Sequence, residues 1–177
     1  MPSANLMNEV RQSQIMIAVV SRESYNQQTL DLAKMVADRF TKICYVTINR
    51  SYSNLVKEFQ NSKIDVDKFV FIDATPGDGK KTAPKDKCIF IRAPNDILQL
   101  SIGFAQQLDK VGFECAIFDS LDAIEIYANP KNIIKLVHTM INKVRGTDIK
   151  MIFITSEKDS EIMKELYMFI DKIVALT

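Results

Sequence analysis

The sequence is short of most residues that mark a dedicated chemistry. It has one His, His138, and three Cys, Cys44, Cys88 and Cys115, with no C-x-x-C spacing. A zinc site built from clustered His and Cys has nothing to draw on, and an odd number of thiols in apolar, β-like runs reads as reduced core residues in an intracellular compartment. No apolar run approaches the ~20 residues that cross a bilayer, and Met1 to Gln14 lacks a signal-peptide core, so a cytoplasmic protein with no membrane partner is expected. Charge of one sign is missing too. Against 23 Lys+Arg stand 22 Asp+Glu, for a net charge of +1, so nucleic acid or an acidic membrane would need a local patch. There is no G-x-S-x-G elbow for a serine hydrolase and no internal repeat. The eight Met are scattered through strands and helix faces as core filling.

What is present is patterning. The chain has 177 residues, of which 47% are apolar, enough for one compact domain over residues 1–177 with residues 1–13 flexible. Short apolar runs at Ile15 to Val20, Ile43 to Ile48, Phe69 to Asp73, Cys88 to Arg92, Glu114 to Phe118, Met151 to Thr155 and Lys172 to Leu176 read as strands. Amphipathic stretches alternate with them at Ser24 to Phe40, Ser53 to Gln60, Asn95 to Lys110 with Asn95 as N-cap, Pro130 to Val144, and Ser160 to Phe169. Continuous rather than alternating apolar character says that helices cover both faces of a mainly parallel sheet. The fold class expected is three-layer α/β/α.

Ligands of such sheets gather at the carboxyl ends of strands. Those ends carry Ser21, Arg22, Glu23 and Ser24 after the first strand, Asn49 and Arg50 after the second, Asp73 after the third, and later Asp119, Ser120, Thr155 and Ser156. Most such residues are loop starts and helix caps. Ala74 to Lys87 has no large apolar residue and reads as an exposed loop, with Lys80, Lys81, Lys85 and Lys87 as a candidate basic contact for nucleic acid. Gly77 to Thr82 only superficially looks like a phosphate loop: a match anchored on Gly79 and Lys80 needs Gly at 74 and Ser or Thr at 81, where Ala74 and Lys81 stand. Asp73 is placed like the phospho-acceptor of a receiver domain, but the first strand end supplies only Glu23 of the acid pair such a site needs. His138 lies beside the apolar line Ile134, Val137 and Ile141, a boundary position between core and solvent.

Four phrases in order, CYVTINRSYSNL (Cys44 to Leu55), FVFIDATPG (Phe69 to Gly77), RAPNDILQLSIGFAQ (Arg92 to Gln106) and IFDSLDAIEIY (Ile117 to Tyr127), followed by MIFIT with Thr155-Ser156-Glu157, resemble the RecA-like ATPase core, and within it the archaeal branch related to KaiC. The resemblance spans nearly the whole chain. It implies a RecA-like (P-loop-NTPase-like) fold with Asp119 at the Walker B position, and association with copies of itself or an active relative. The departures from that family carry more information than the matches. Where its phosphate loop needs glycines and a final Gly-Lys-Ser/Thr, this chain has Ser21-Arg-Glu-Ser-Tyr-Asn-Gln-Gln-Thr29, with no Gly and no Lys. Where a KaiC-like catalytic carboxylate is expected, Asn49 and Arg50 stand, and neither serves as a base. The expectation is a non-catalytic regulatory or scaffolding pseudo-ATPase in signal transduction, with no cofactor, no metal and no catalytic residue, working through a protein partner. Ser21, Arg22, Ser24, Tyr25, Asn49, Arg50, Asp119, Ser120, Thr155 and Ser156 would line the degenerate nucleotide site. Two alternatives stand beside it: an atypical ATPase using Arg22 or Arg50 for phosphate and Asp119 for metal, and a nucleic-acid module using the 80–87 loop.

Overall fold

The computed structural model describes residues 2–77, 81–92 and 94–176. The chain runs α1 (Pro2–Gln12), β1 (Ile15–Val19), α2 (Tyr25–Arg39), β2 (Ile43–Thr47), α3 (Tyr52–Asn61), β3 (Phe69–Asp73), β4 (Cys88–Phe90), α4 (Ile97–Leu108), β5 (Cys115–Asp119), α5 (Leu121–Ile124), α6 (Pro130–Val144), β6 (Lys150–Thr155), α7 (Glu161–Leu166) and β7 (Lys172–Ala175), with 3-10 turns at Val66–Lys68 and Tyr167–Phe169. Among the described residues the strands form one sheet in the order β4-β3-β2-β5-β6-β1-β7, and every pairing is parallel.

The two-residue period of a strand sorts each apolar run onto both faces. In β1, Ile15, Ile17 and Val19 join the core under α4, α6 and α7, where Leu100, Phe104, Leu136, Val137, Met140 and Met163 are buried. Met16 and Ala18 point the other way, into a core with Leu32, Val36, Leu55 and Phe59 of α2 and α3. The result is three layers, α/β/α.

Several boundaries differ from the sequence reading for identifiable reasons. Residues 1–13, expected to be flexible, instead include α1, which buries Leu6 and Val10 at i, i+4 spacing. Asp96, not Asn95, caps α4, its carboxylate accepting from the Gln99 N–H; a carboxylate beside a helix N-terminus also gains from the helix dipole. The last predicted helix tightens into a 3-10 turn after Leu166. The loop after β3 is only partly exposed, since Ala74 and Thr75 are buried and Lys81 is anchored by Asp73. Gly103 faces β4 so closely that a Cβ would lie 3.1 Å from Cδ1 of Ile91, which seats α4 tightly over the end of that strand.

An aromatic group fixes the α3 side. Phe59 is fully buried, with its ring 4.9 Å from Phe69, 5.7 Å from Tyr45 and 5.8 Å from Phe71, centroid to centroid. Phe59→Ala is expected to cost about 3–5 kcal/mol of folding stability through the cavity it leaves, read as a lowered urea midpoint with an unchanged m-value.

Candidate functional site

Strand order creates the site. β1 and β2 are consecutive in sequence, yet β6 and β5 lie between them in the sheet. The crossover helix α2 therefore starts at the carboxyl edge of β1 and leans over the ends of β6 and β5, bringing Tyr25, its first residue, onto Asp119, the last residue of β5. Thr47 of β2 is in register with Asp119, so the turn after β2 delivers Arg50 to the same point.

Asp119 has no solvent exposure. A carboxylate there must be matched by donors or lose its charge, and three side chains supply them. Tyr25 donates its hydroxyl to Oδ1. Oδ2 accepts from Tyr45 Oη at 2.6 Å and from Arg50 Nη2 at 2.8 Å. Arg50 is itself held at both terminal nitrogens: Nη2 also donates to Thr29 Oγ1 at 2.9 Å and Nη1 to Glu58 at 2.9 Å, while the buried Nε has no partner among the described residues. Its backbone is held by Thr47, whose Oγ1 donates to the Arg50 carbonyl at 2.6 Å. One guanidinium thus ties α2, α3, β2 and β5 together. Burial raises the Tyr45 phenol well above its ordinary pKa, and the Asp119 charge pushes it further the same way; the Tyr25 phenol is raised by the same two causes. Burial works against the charge of Arg50, but Tyr45, Asp119 and Glu58 outweigh it and hold its pKa above the usual arginine value.

The turn between β1 and α2 is occupied from within. The Ser21 N–H donates to Gln28 Oε1 at 2.7 Å, the Ser24 N–H to Ser21 Oγ at 3.1 Å, and the Gln28 N–H to the Ser24 carbonyl at 2.9 Å. Arg22, with three quarters of its side chain exposed, pairs with Glu157 across the mouth. Beyond this, the other strand-end residues hold local structure. Ser120 caps α5 through the Ala123 N–H, Ser156 donates through both N–H and Oγ to Asp122, Thr155 Oγ1 accepts from the Glu157 N–H at 3.1 Å, and Asn49 is exposed. Of the ten residues expected to line the site, the geometry therefore gathers Tyr25, Arg50 and Asp119 into one network. The sequence reading missed Tyr45, Thr29 and Glu58. Tyr45 was readable in principle, because a buried Asp119 needs donors from its neighbouring strand and ICYVT offers only Tyr45 and Thr47 with hydroxyls.

The remaining candidates separate. Lys81 is bound to Asp73 at 3.1 Å and to Thr75, and Lys87 to Asp67 at 3.1 Å; Lys85 is exposed, and Lys80 lies outside the described residues. Asp73 is buried, accepting from the Thr75 N–H, Thr75 Oγ1, Lys81 and the Tyr52 N–H that starts α3. It is a structural carboxylate rather than an open acceptor. The His138 ring packs edge-on against Phe169, 4.1 Å between centroids. Among the described residues no group of three or more His, Cys, Asp or Glu could hold a metal ion, and no helix is long and apolar enough to cross a membrane.

The class that this architecture defines is the RecA-like, P-loop-NTPase-like α/β/α fold, and solved structures agree with it. A protein from Pyrococcus horikoshii OT3 superposes with a TM-score of 0.65 at 13% identity, covering 100% of this chain and 88% of that one. An ATPase from the type III secretion system of pathogenic bacteria superposes with a TM-score of 0.54 at 10% identity, covering 93% of this chain and 51% of that one; this chain thus matches about half of that ATPase. At such identities the likeness is one of fold. No family model and no curated protein matches the sequence.

Two outcomes follow from the network. Asp119→Ala strands Arg50 and Tyr45 in a buried pocket and is expected to cost about 3–5 kcal/mol, measurable by urea denaturation at neutral pH. The raised phenols of Tyr25 and Tyr45 set an alkaline limit. Above the ordinary tyrosine pKa of 10.0 the unfolded chain releases these protons and the folded one keeps them, so stability is retained below pH 10 and falls as pH rises beyond it. In an alkaline titration, tyrosinate absorbance from these two residues is expected to appear only together with unfolding.

Proposed function

We propose that this chain is a RecA-like pseudo-ATPase of the archaeal branch related to KaiC, which has given up ATP hydrolysis and ordinary ATP binding and acts through protein contacts as a regulatory or scaffolding component, in a signalling role. The observation that carries the reading is the filled strand-end crevice. A phosphate cradle needs free backbone N–H groups, a lysine and a carboxylate able to reach a metal. Here the turn from Ser21 to Thr29 spends N–H groups on its own side chains, and the Asp119 oxygens are taken by Tyr25, Tyr45 and Arg50. These residues do not fit a magnesium triphosphate.

The atypical-ATPase reading asks Arg50 to bind phosphate, but Arg50 already pairs with Asp119 and Glu58, and freeing it would leave a buried carboxylate without a counter-charge. The nucleic-acid reading asks the loop lysines to converge, whereas Lys81 and Lys87 pair with separate carboxylates. Protein contact is the use of the fold that needs none of these groups released. The expected partner is a second copy or an active RecA-like relative.

Calorimetric titration with magnesium and ATP is expected to give no saturable heat, and phosphate release to stay at the buffer rate. Magnesium-dependent turnover that disappears in both Asp119→Ala and the better-tolerated Asp119→Asn would overturn the proposal.

A further inference from the structure

Most polar side chains buried in this fold stand at the carboxyl ends of strands; Gln107 does not. It is 2% exposed and lies in the last turn of α4, at the opposite, amino edge of the sheet, where α4 ends beside the starts of β2, β3 and β4. Its Oε1 accepts from Lys110 Nζ at 2.8 Å. An ammonium group only donates, so this contact turns the amide nitrogen away from Lys110. That nitrogen donates to no atom of the described residues, yet it is not sealed in: among those residues the enclosed side-chain nitrogens and oxygens without a partner are Arg50 Nε and His138 Nε2. It opens on a groove of about 560 Å³ that Gln107 lines with Lys42, Lys87, Lys110, Asp67 and Asp86. Two of these lysines carry charge that no carboxylate neutralises. Lys42 Nζ donates to the Val111 carbonyl at 2.6 Å and stands 4.6 Å from the centre of the Phe113 ring, while Lys110 holds the Gln107 amide; these partners are uncharged. Among the described residues neither lysine forms an ion pair, and the nearby Glu114 is taken up by the Thr41 N–H and hydroxyl. Lys87 pairs with Asp67, and Asp86 stands exposed at the rim.

We infer that this groove binds a small phosphorylated molecule, its phosphate held by Lys42, Lys110 and the Gln107 amide. A buried amide donor beside two ammonium groups calls for an acceptor that carries negative charge. The cations of the groove are all lysines. The planar fork of an arginine matches a carboxylate, whereas separate ammonium groups, each a compact point charge, gather round the several oxygens of a phosphate. α4 ends here, and its last carbonyls would repel an anion; Lys42, seated on the Val111 carbonyl just past that end, covers the negative pole. Gly112 keeps Lys42 there. Its φ of +97° is a conformation that favours glycine, and a Cβ on it would lie 3.5 Å from Lys42 Cδ, so the turn wraps closely on the lysine stem. Three ammonium groups against two carboxylates leave the lining with one net positive charge, which suits a single phosphate group and not a polyanion. A bare phosphate fills a small part of a groove whose volume is that of an ordinary small-molecule site, and Val70 of β3 gives the organic part of the ligand an apolar wall. The groove and the Asp119 crevice lie at opposite edges of the sheet, so the inference is independent of the proposed loss of ATP binding.

Titration of the isotope-labelled full chain, followed by amide NMR at an ionic strength held constant with sodium chloride, tests it. Inorganic phosphate is expected to give saturable shifts at the backbone amides of Lys42, Gln107, Lys110 and Gly112 and at the Gln107 side-chain amide, and phenyl phosphate to bind at the same place more tightly. Lys110 and Asp86 are exposed, so variants there leave the fold intact. Lys110→Gln is expected to weaken phosphate binding about tenfold, the worth of one hydrogen bond to a charged group. Asp86→Asn, which removes a repelling carboxylate, is expected to strengthen it. Phosphate that fails to saturate by about 20 mM, too weak for a site on the scale of affinities, overturns the inference. So do shifts centred on Ser21 to Thr29, Lys110→Gln or Asp86→Asn with unchanged affinity, and phenyl phosphate that binds no more tightly than the inorganic ion. A single-stranded oligonucleotide that displaces phenyl phosphate at lower concentration than inorganic phosphate does makes the groove a nucleic-acid contact and overturns it as well.

Discussion

A carboxylate sealed at the end of β5 sets the terms for everything around it. Taking Asp119 out of water costs several kcal/mol unless charge and hydrogen bonds replace its hydration. Arg50 provides the charge and two phenols complete the shell. Each of those donors brings its own constraint. Arg50 is itself nearly buried, with 11% of its side chain exposed, and needs Glu58 and Thr29. Tyr25 must stand at the first position of α2, which fixes how that helix enters, and Tyr45 must point to the α2 and α3 side of the sheet. Four elements are positioned by one buried charge.

The same network explains why the crevice has the chemistry it has. At the carboxyl edge of a parallel sheet the backbone offers a place for an anion, and the strand order here opens that place between β1 and β2 with the ends of β6 and β5 as its floor. A loop of residues bearing Cβ atoms, Ser21 to Thr29, cannot readily wrap an anion as glycines can, and it folds onto itself through Ser21, Ser24 and Gln28 instead. The positive charge at the crevice comes from Arg50, drawn inward by Asp119 rather than outward toward a ligand. A planar guanidinium suits this inward role, since its several donors can serve Asp119, Glu58 and Thr29 at once, where a lysine ammonium would be a single point charge.

How much of this was legible in the sequence depended on whether the signal was local. The layers were legible, because uninterrupted runs such as Ile15 to Val20 can be buried on both faces only between two sheets of helices. Helix α6 was legible from Pro130 at its first turn and the Ile134, Val137 and Ile141 spacing. The parallel sheet was legible from the alternation of runs, but nothing in them gives the order that interposes β5 and β6 between β1 and β2. The site was legible in part. Arg50 and Asp119 stood out as strand-end polar residues and Tyr25 as part of the site that the family resemblance implies, yet nothing in the residues between 25 and 119 says that they meet. Tyr45 hid inside an apolar strand, and Glu58 on a helix where a solvated charge is the default. α1 was missed because only Leu6 and Val10 mark its buried side, and two apolar residues in a polar stretch are a weak periodic signal.

Two surfaces of the molecule differ in what their side chains leave unmet. At the strand ends, polar side chains satisfy one another, and Arg22 with Glu157 and Ser156 with Asp122 close the mouth with pairs of opposite character. Such a surface can meet a partner only by exchanging hydrogen bonds it already has, so contact there contributes orientation and rejection of wrong partners more than affinity. Across the sheet, α4 leaves Leu98 and Ile102 with no partner in the fold, and burying them is favourable in itself. Opening the strand-end network would break the interaction that holds four elements in place.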